Sequence, residues 1–238
     1  MANFPFQRLQ ADLAALIART PAGQRLPSEP DLAKQLGVSR ATLREAMRSF
    51  ETQGLIRRRQ GSGTFVVGKV QALDSGLEVL ESLETMAKRL GLEVSVSDLN
   101  IESIVSDDEF STALSVSVGT PLTRVRRVVR ADSRPVAYLV DVLPENILHS
   151  KDMPDNFHGS VLDFLLGRGD SLTSSRANVS AIGATAEVAK ALEIQRGDVL
   201  LHFYSQLFDE NNKVVDYSLS YFIPGYFHFH IVRRVGTP

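Results

Sequence analysis

The spacing of the apolar residues changes once along this chain of 238 residues, and that change constrains the fold more than any other feature. Near the N-terminus, apolar side chains such as Leu9, Leu13 and Leu16 recur every three or four positions, which is typical of amphipathic helices. Further on, β-branched and aromatic residues gather in runs such as 199–209 and 214–222, which are typical of strands. We therefore predict two units: a helical one, and an α+β domain around an antiparallel sheet.

The two predicted units also differ in net charge. Residues 1–68 hold 10 lysines and arginines against 5 acidic residues, whereas residues 69–238 hold 16 against 23, although the net charge is only −2. A basic unit joined to an acidic one is the pattern expected when one end of a chain meets a polyanion and the other does not.

The first unit is predicted to form a helix-turn-helix followed by a β-wing. Three helices are expected, at 6–18, 29–36 and 40–53. Ser28 and Ser39 are suitable N-caps for the second and third helices, and Gly37 is suited to the turn between them. Two short strands around a glycine-rich turn follow at 55–67.

Three motifs in this unit, at 26–29, 37–46 and 61–66, resemble the winged-helix module of the GntR family of bacterial repressors. The resemblance covers residues 5–67 and implies that the third helix enters the major groove of DNA while the wing tip enters the minor groove. Pro30 stands where the family usually has a basic residue, so one customary base contact is missing. The predicted DNA-binding residues are Ser28, Ser39, Arg40, Thr42, Arg44, Arg48, Arg58, Gln60, Gly61, Ser62, Gly63 and Thr64.

The rest of the chain is predicted to be a linker and a second domain. We expect domains at 1–68 and 78–238, joined by a linker at 69–77. Strands are predicted at 94–101, 122–130, 136–143, 171–182, 199–209 and 214–222, with helices at 107–114, 160–166 and 185–192.

Segments of this second domain, at 119–122, 134–138, 159–162, 189–192 and 197–201, resemble the UTRA effector domain of the HutC-type GntR subfamily. The resemblance covers about residues 78–234. It implies a chorismate-lyase-like fold that binds a small effector such as a sugar, a sugar phosphate, a carboxylate or an amino acid derivative.

Polar residues within the apolar strands are the candidates for binding an effector. Alternation places Arg127 and Asp141 among aliphatic residues, which suits a charged or zwitterionic ligand. Ser160 lies at a predicted helix start, where a hydroxyl and backbone amides favour an anion. The predicted effector-binding residues are Arg127, Asp141, Ser160, Asp216, Ser218 and Tyr221.

Arg127, Ser160 and Asp216 match the ligand-binding positions of sugar-phosphate-binding UTRA domains. Val129 and Leu139 stand where those proteins have an arginine and a glutamate, so we expect a different small polar molecule. An internal or interface salt bridge between Arg127 and Asp141 is the alternative interpretation.

Nothing in the sequence indicates catalysis, a metal or a cofactor. The chain has no cysteine and no Gly-x-Ser-x-Gly motif. His228 and His230 could share a strand face, but no third ligand stands at a diagnostic spacing. The absence of cysteine and of a charged-then-apolar leader predicts a cytoplasmic, nucleoid-associated protein.

The sequence therefore predicts a homodimeric transcription regulator, of the repressor type, that binds pseudo-palindromic operator DNA under the control of a small effector. Two alternatives stay open. The second domain could serve dimerisation alone in a constitutive DNA-binding protein, or the chain could be a lyase-like enzyme.

Overall fold

The computed structural model describes residues 4–52, 54–59, 62–67, 73–154, 157 and 159–233, which form two compact units. The first unit comprises the described residues up to 67 together with Pro224–His228, and the second comprises Leu73–Ile223 with residues 229–233. The predicted linker at 69–77 lies partly outside the described residues, and its stretch Leu73–Gly76 is a strand.

The first unit is a helix-turn-helix followed by a two-stranded hairpin, as predicted. Its elements are α1 (Phe4–Arg19), α2 (Glu29–Leu36), α3 (Arg40–Thr52), β1 (Ile56–Arg59) and β2 (Gly63–Val66). The Ser39 hydroxyl accepts a hydrogen bond from the Thr42 backbone N–H at 3.0 Å, and Gly37 adopts the left-handed conformation after α2. Both local signals therefore act as expected from the sequence.

The three helices and the hairpin share one apolar core. Leu13 of α1, Leu43 and Met47 of α3 and Ile56 of β1 are at most 1% exposed. One strand-like segment was not predicted: the Leu26 N–H donates to the Thr64 carbonyl at 2.8 Å, so the chain before α2 lies beside β2.

The second unit is built on a six-stranded sheet in the order β4-β5-β6-β9-β8-β7, with every neighbouring pair antiparallel. A small second sheet pairs β10 with β3. The elements from residue 73 onward are β3 (Leu73–Gly76), α4 (Leu83–Arg89), β4 (Val94–Val105), α5 (Asp108–Leu114), β5 (Pro121–Ala131), β6 (Arg134–Pro144), a 3-10 turn (Ser150–Asp152), α6 (Val161–Arg168), β7 (Leu172–Gly183), α7 (Ala186–Ala191), β8 (Val199–Asp209), β9 (Val214–Phe222) and β10 (Phe227–His230).

The predicted α+β class is confirmed, and β8 and β9 have the predicted bounds. Four short elements of the described residues were not predicted, namely β3, α4, the 3-10 turn and β10. Strand β4 was predicted too short, because a bulge between Ser97 and Asn100 interrupts its alternation and pairing resumes as far as Val105.

The strand register divides the side chains of the sheet between two faces. Asp141 lies opposite both Val125 and Ser218, and Arg127 lies opposite Leu139, so these five residues share one face. We call it the α6 face, because its apolar residues pack against Val161 and Leu165 of α6. The other face, which we call the α7 face, carries Tyr138, whose hydroxyl donates to Glu187 of α7 at 2.8 Å.

We expect Leu43→Ala to lower the free energy of unfolding of the first unit by about 2 to 5 kcal/mol, because it leaves a cavity beside α1 and β1. Denaturant unfolding followed by circular dichroism measures the change. Leu55→Ala, at a side chain that is 38% exposed, is the control. Equal effects of the two substitutions would contradict the core described above.

Candidate DNA-binding surface and ligand site

Helix α3 presents a polar surface opposite its buried side. Arg40, Thr42 and Arg44 are exposed, while Leu43 and Met47 face the core. The Arg44 side chain is 62% exposed, and its Nε lies 3.8 Å from a carboxylate oxygen of Glu29 in α2. Such a contact leaves most of the guanidinium free to donate to a base edge or a phosphate.

Two of the predicted DNA contacts are instead engaged within the unit. Arg58 follows the buried Ile56 by two positions in β1, so its side chain points inward. Its Nε lies 3.3 Å from Glu51 and 3.8 Å from Glu29, and its NH2 donates to the Arg44 carbonyl at 3.2 Å. These contacts join the wing to α2 and α3.

Arg48, in the last part of α3, is the second of these residues. Its side chain is 29% exposed and lies 3.9 Å from Glu45. Ser28 caps α2 and donates its hydroxyl hydrogen to Asp31, and Ser39 caps α3. These residues position the recognition helix, whatever further contacts they make.

The wing brings only some of its predicted residues to the surface. Ser62 is exposed, and Gly63 has a φ of 110°, with so little room that a Cβ would overlap the Arg25 guanidinium. Thr64 is 6% exposed and its carbonyl accepts from the Leu26 N–H, so little of its surface is open to a contact with DNA. Gln60 and Gly61 lie outside the described residues.

Two exposed arginines of β1 were missing from the predicted set. Arg57 and Arg59 flank the inward Arg58, and the Arg59 guanidinium lies 5.2 Å from the centre of the Phe65 ring. Strand alternation, applied to the run of three arginines, would have separated the outward pair from the inward one.

In the second unit, the predicted Arg127 and Asp141 form a buried ion pair on the α6 face. They are 4% and 8% exposed, and Arg127 NH1 donates to Asp141 Oδ2. The internal salt bridge that the sequence left open is therefore present. Arg127 Nε, however, finds no hydrogen-bond partner within the described part of the chain.

More unsatisfied polar atoms adjoin this pair. Asp216 of β9 is 6% exposed, and its Oδ1 has no partner among the residues that the structure describes. The same holds for both carboxylate oxygens of Glu84 in α4. Because buried polar atoms in proteins are nearly always paired, this cluster is the strongest candidate for a ligand site in the described structure.

The carboxyl groups of this cluster are held away from their ordinary ionisation. Burial raises the pKa of Asp216 well above its usual value, and the neighbouring Asp141 raises it further, against the opposing effect of Arg127. Burial also raises the pKa of Glu84. For Arg127, burial opposes the charge, but Asp141 and Glu84 outweigh it and raise the pKa of the guanidinium.

Ser160 lies at the start of α6, as predicted, but it is already engaged. It is 5% exposed, and its hydroxyl accepts from the Asp163 N–H at 3.1 Å. The Asp163 carboxylate in turn accepts from the hydroxyls of Ser82, at 2.5 Å, and Thr85, at 3.1 Å. The chain's own carboxylate therefore stands at the helix end where an anion was expected.

The two remaining effector-binding candidates are on different faces. Ser218 lies opposite Asp141 and shares its face. Tyr221 is three residues further along β9 and lies on the other face, because an odd separation in a strand places the two side chains on opposite faces. Its ring stacks on Tyr138 at 5.9 Å and lies 4.7 Å from the His202 ring on the α7 face.

Glu84 is absent from the predicted site because α4 was not predicted from the sequence. A signal was present: Ser82 is an N-cap, and Leu83, Met86 and Ala87 have helical spacing. A glutamate in the first turn of such a helix is ordinarily a favourable surface charge, so its burial here could only come from the packing of α4.

The described residues contain neither a metal-binding cluster nor a membrane-spanning helix. In the described ranges, no group of three or more histidine, aspartate or glutamate side chains is arranged to hold a metal ion. No helix among those residues is long and apolar enough to span a membrane.

Comparison with known proteins places both units in described families. Residues 6–66 match the model of the bacterial regulatory proteins of the gntR family, and residues 89–228 match the UTRA domain. The chain is 27% identical to the HTH-type transcriptional repressor NagR of Bacillus subtilis, over 82% of this chain and 79% of NagR. It is also 27% identical to the "Probable fructoselysine utilization operon transcriptional repressor" of Escherichia coli K12, over 89% and 86%.

Among solved structures, PhnF from Mycobacterium smegmatis has the same fold, with a TM-score of 0.65 at 21% identity, covering 96% of this chain and all of that one. The family and the relatives are transcription regulators and not enzymes, so the lyase-like alternative is set aside. The chain belongs to the GntR family of bacterial DNA-binding transcription regulators, in its HutC-like branch with a C-terminal UTRA domain.

Proposed function

We propose that this regulator is a repressor whose affinity for operator DNA is controlled by a small polar effector bound on the α6 face. One observation carries the proposal: Arg127, Asp216 and Glu84 have buried polar atoms without partners in the described structure. Buried groups of this kind lower stability unless something else satisfies them, and they recur at functional sites.

In the first unit, the exposed side of α3 reads DNA. Arg40, Thr42 and Arg44 supply donors for base edges and phosphates, and Arg57 and Arg59 add positive charge on the wing. One such module contacts few phosphates, so we expect a homodimer with its two modules on the half-sites of a pseudo-palindrome.

Effector binding would change the operator affinity only if it favours one arrangement of the DNA-binding units over another. A coupling of about 1 to 3 kcal/mol between the two sites is the range expected for such control. The competing proposal is a constitutive repressor whose second unit only dimerises. It leaves the unsatisfied atoms on the α6 face without an explanation.

We expect Arg44→Ala to weaken binding to operator DNA by about 1 to 3 kcal/mol and to lower the slope of log affinity against log salt concentration by up to about 1. Fluorescence anisotropy, with an operator obtained by selection from random duplexes, measures both quantities. Arg8→Ala is the matched control, since it removes an exposed arginine from α1. Unchanged affinity and slope in Arg44→Ala would show that α3 is not the reading element.

The buried carboxyl of Asp216 gives a second prediction. A raised pKa in the folded state means that the stability of the wild type falls as the pH rises through that pKa. Asp216→Asn carries no such charge and can donate to Asp141. The variant should therefore gain stability over the wild type above the ordinary pKa of an aspartate, by an amount that grows as the pH rises toward the raised pKa of Asp216.

Thermal unfolding of the full chain without ligand, at several pH values, tests this expectation. Asp132→Asn, in the exposed turn between β5 and β6, is the control and should follow the wild type at every pH. If the difference in melting temperature between Asp216→Asn and the wild type does not vary with pH, the pKa of Asp216 is not raised and its burial does not disfavour the charged form.

A further inference from the structure

The charges on the α6 face are unbalanced. Arg127 is the cation of the cluster, and the carboxyl groups of Asp141, Asp216 and Glu84 all act on it. Asp163, at the start of α6, adds a fourth carboxyl group that acts on Glu84. Carboxyl groups therefore outnumber cations in this part of the described structure, in a setting where burial strengthens every electrostatic interaction.

The same arrangement leaves little to attract an anion. Arg127 already donates to Asp141, and Asp163 stands at the N-terminus of α6. A phosphate placed here would meet Asp216 and Glu84, and repulsion from these groups would oppose its binding.

The unsatisfied atoms define what kind of group the cluster would accept. Three of them, Asp216 Oδ1 and the two carboxylate oxygens of Glu84, are acceptors, one, Arg127 Nε, is a donor, and the Thr123 hydroxyl on the same face can do both. A protonated amine offers three donors and one positive charge, which matches this excess of acceptors.

Hydroxyl groups lie on the same face. Ser218 is opposite Ser205 of β8, and Ser220 follows Ser218 by two positions in β9, so the three side chains share the face of Asp216. Each is partly exposed. Serine hydroxyls both donate and accept, and they suit a ligand that carries hydroxyl groups of its own.

We propose that the effector is a hydroxyl-bearing molecule with a protonated amine and no phosphate, and that Asp216 and Glu84 bind the amine. This inference deepens the proposed function and rests on it, since it names the chemical class that the site on the α6 face takes.

The test measures thermal unfolding of the full chain with probes that separate amine from phosphate, at matched ionic strength. Glucosamine, Tris and ethanolamine supply the amine, while glucose, glucose 6-phosphate and inorganic phosphate lack it. We expect at least one amine to raise the melting temperature by about 2 °C or more at high millimolar concentration. With ethanolamine, whose amine stays protonated near neutral pH, the shift should grow as the pH rises, because the carboxyl groups lose protons.

Two variants locate the effect. Asp216→Asn and Glu84→Gln keep the shape of the side chains but remove the negative charge, so each should reduce the amine shift, and either one suffices if the other fails to fold. Glu187→Gln, which changes a carboxylate on the α7 face, is the control and should keep the wild-type shift.

Three results would overturn the proposal: no shift with any amine, equal amine shifts in the wild type and in both α6-face variants, or a shift with phosphate or glucose 6-phosphate alone. In the last case, loss of that shift in Ser160→Ala would keep effector binding on the α6 face and reject only the amine. No shift with any probe, together with an operator affinity that no probe alters, would count against the proposed function as well.

Discussion

The second unit is organised around the buried ion pair of Arg127 and Asp141. Neither charge would be stable alone at this depth, because removing one partner leaves an uncompensated charge away from water. The pair holds two neighbouring strands in register and places a guanidinium beneath α4 and α6. Glu84 and Asp216 both interact electrostatically with this pair.

A related device orders the first unit. Arg58 points inward from β1 and contacts Glu29, Glu51 and the backbone carbonyl of Arg44. It therefore joins the wing to both helices of the helix-turn-helix, while Arg44 itself stays largely exposed. In each unit, one arginine that the sequence predicts to bind DNA or effector instead contacts carboxylates of the protein itself. Polar residues near that arginine stay available to bind DNA or effector.

Much of this could be predicted from the sequence, and the failures have identifiable causes. Helix caps and strand periods are local signals, so α3 and the strands β8 and β9 were located almost to the residue. Side-chain placement depends on packing: the burial of Thr64 follows from a segment that lies beside β2, and the burial of Glu84 follows from a short helix. Tyr221 was grouped with Asp216 and Ser218, although parity along β9 places its side chain on the opposite face of the sheet.

In the proposed function, binding of an effector to the α6 face changes the affinity of the first unit for DNA. The direct measurement is the dissociation constant of the full chain for its operator, with and without a saturating amine-bearing compound that stabilises the wild type. A change of about fivefold or more, absent in Asp216→Asn, is the predicted result. An unchanged dissociation constant at full occupation would contradict the claim, and the second unit would then serve association alone.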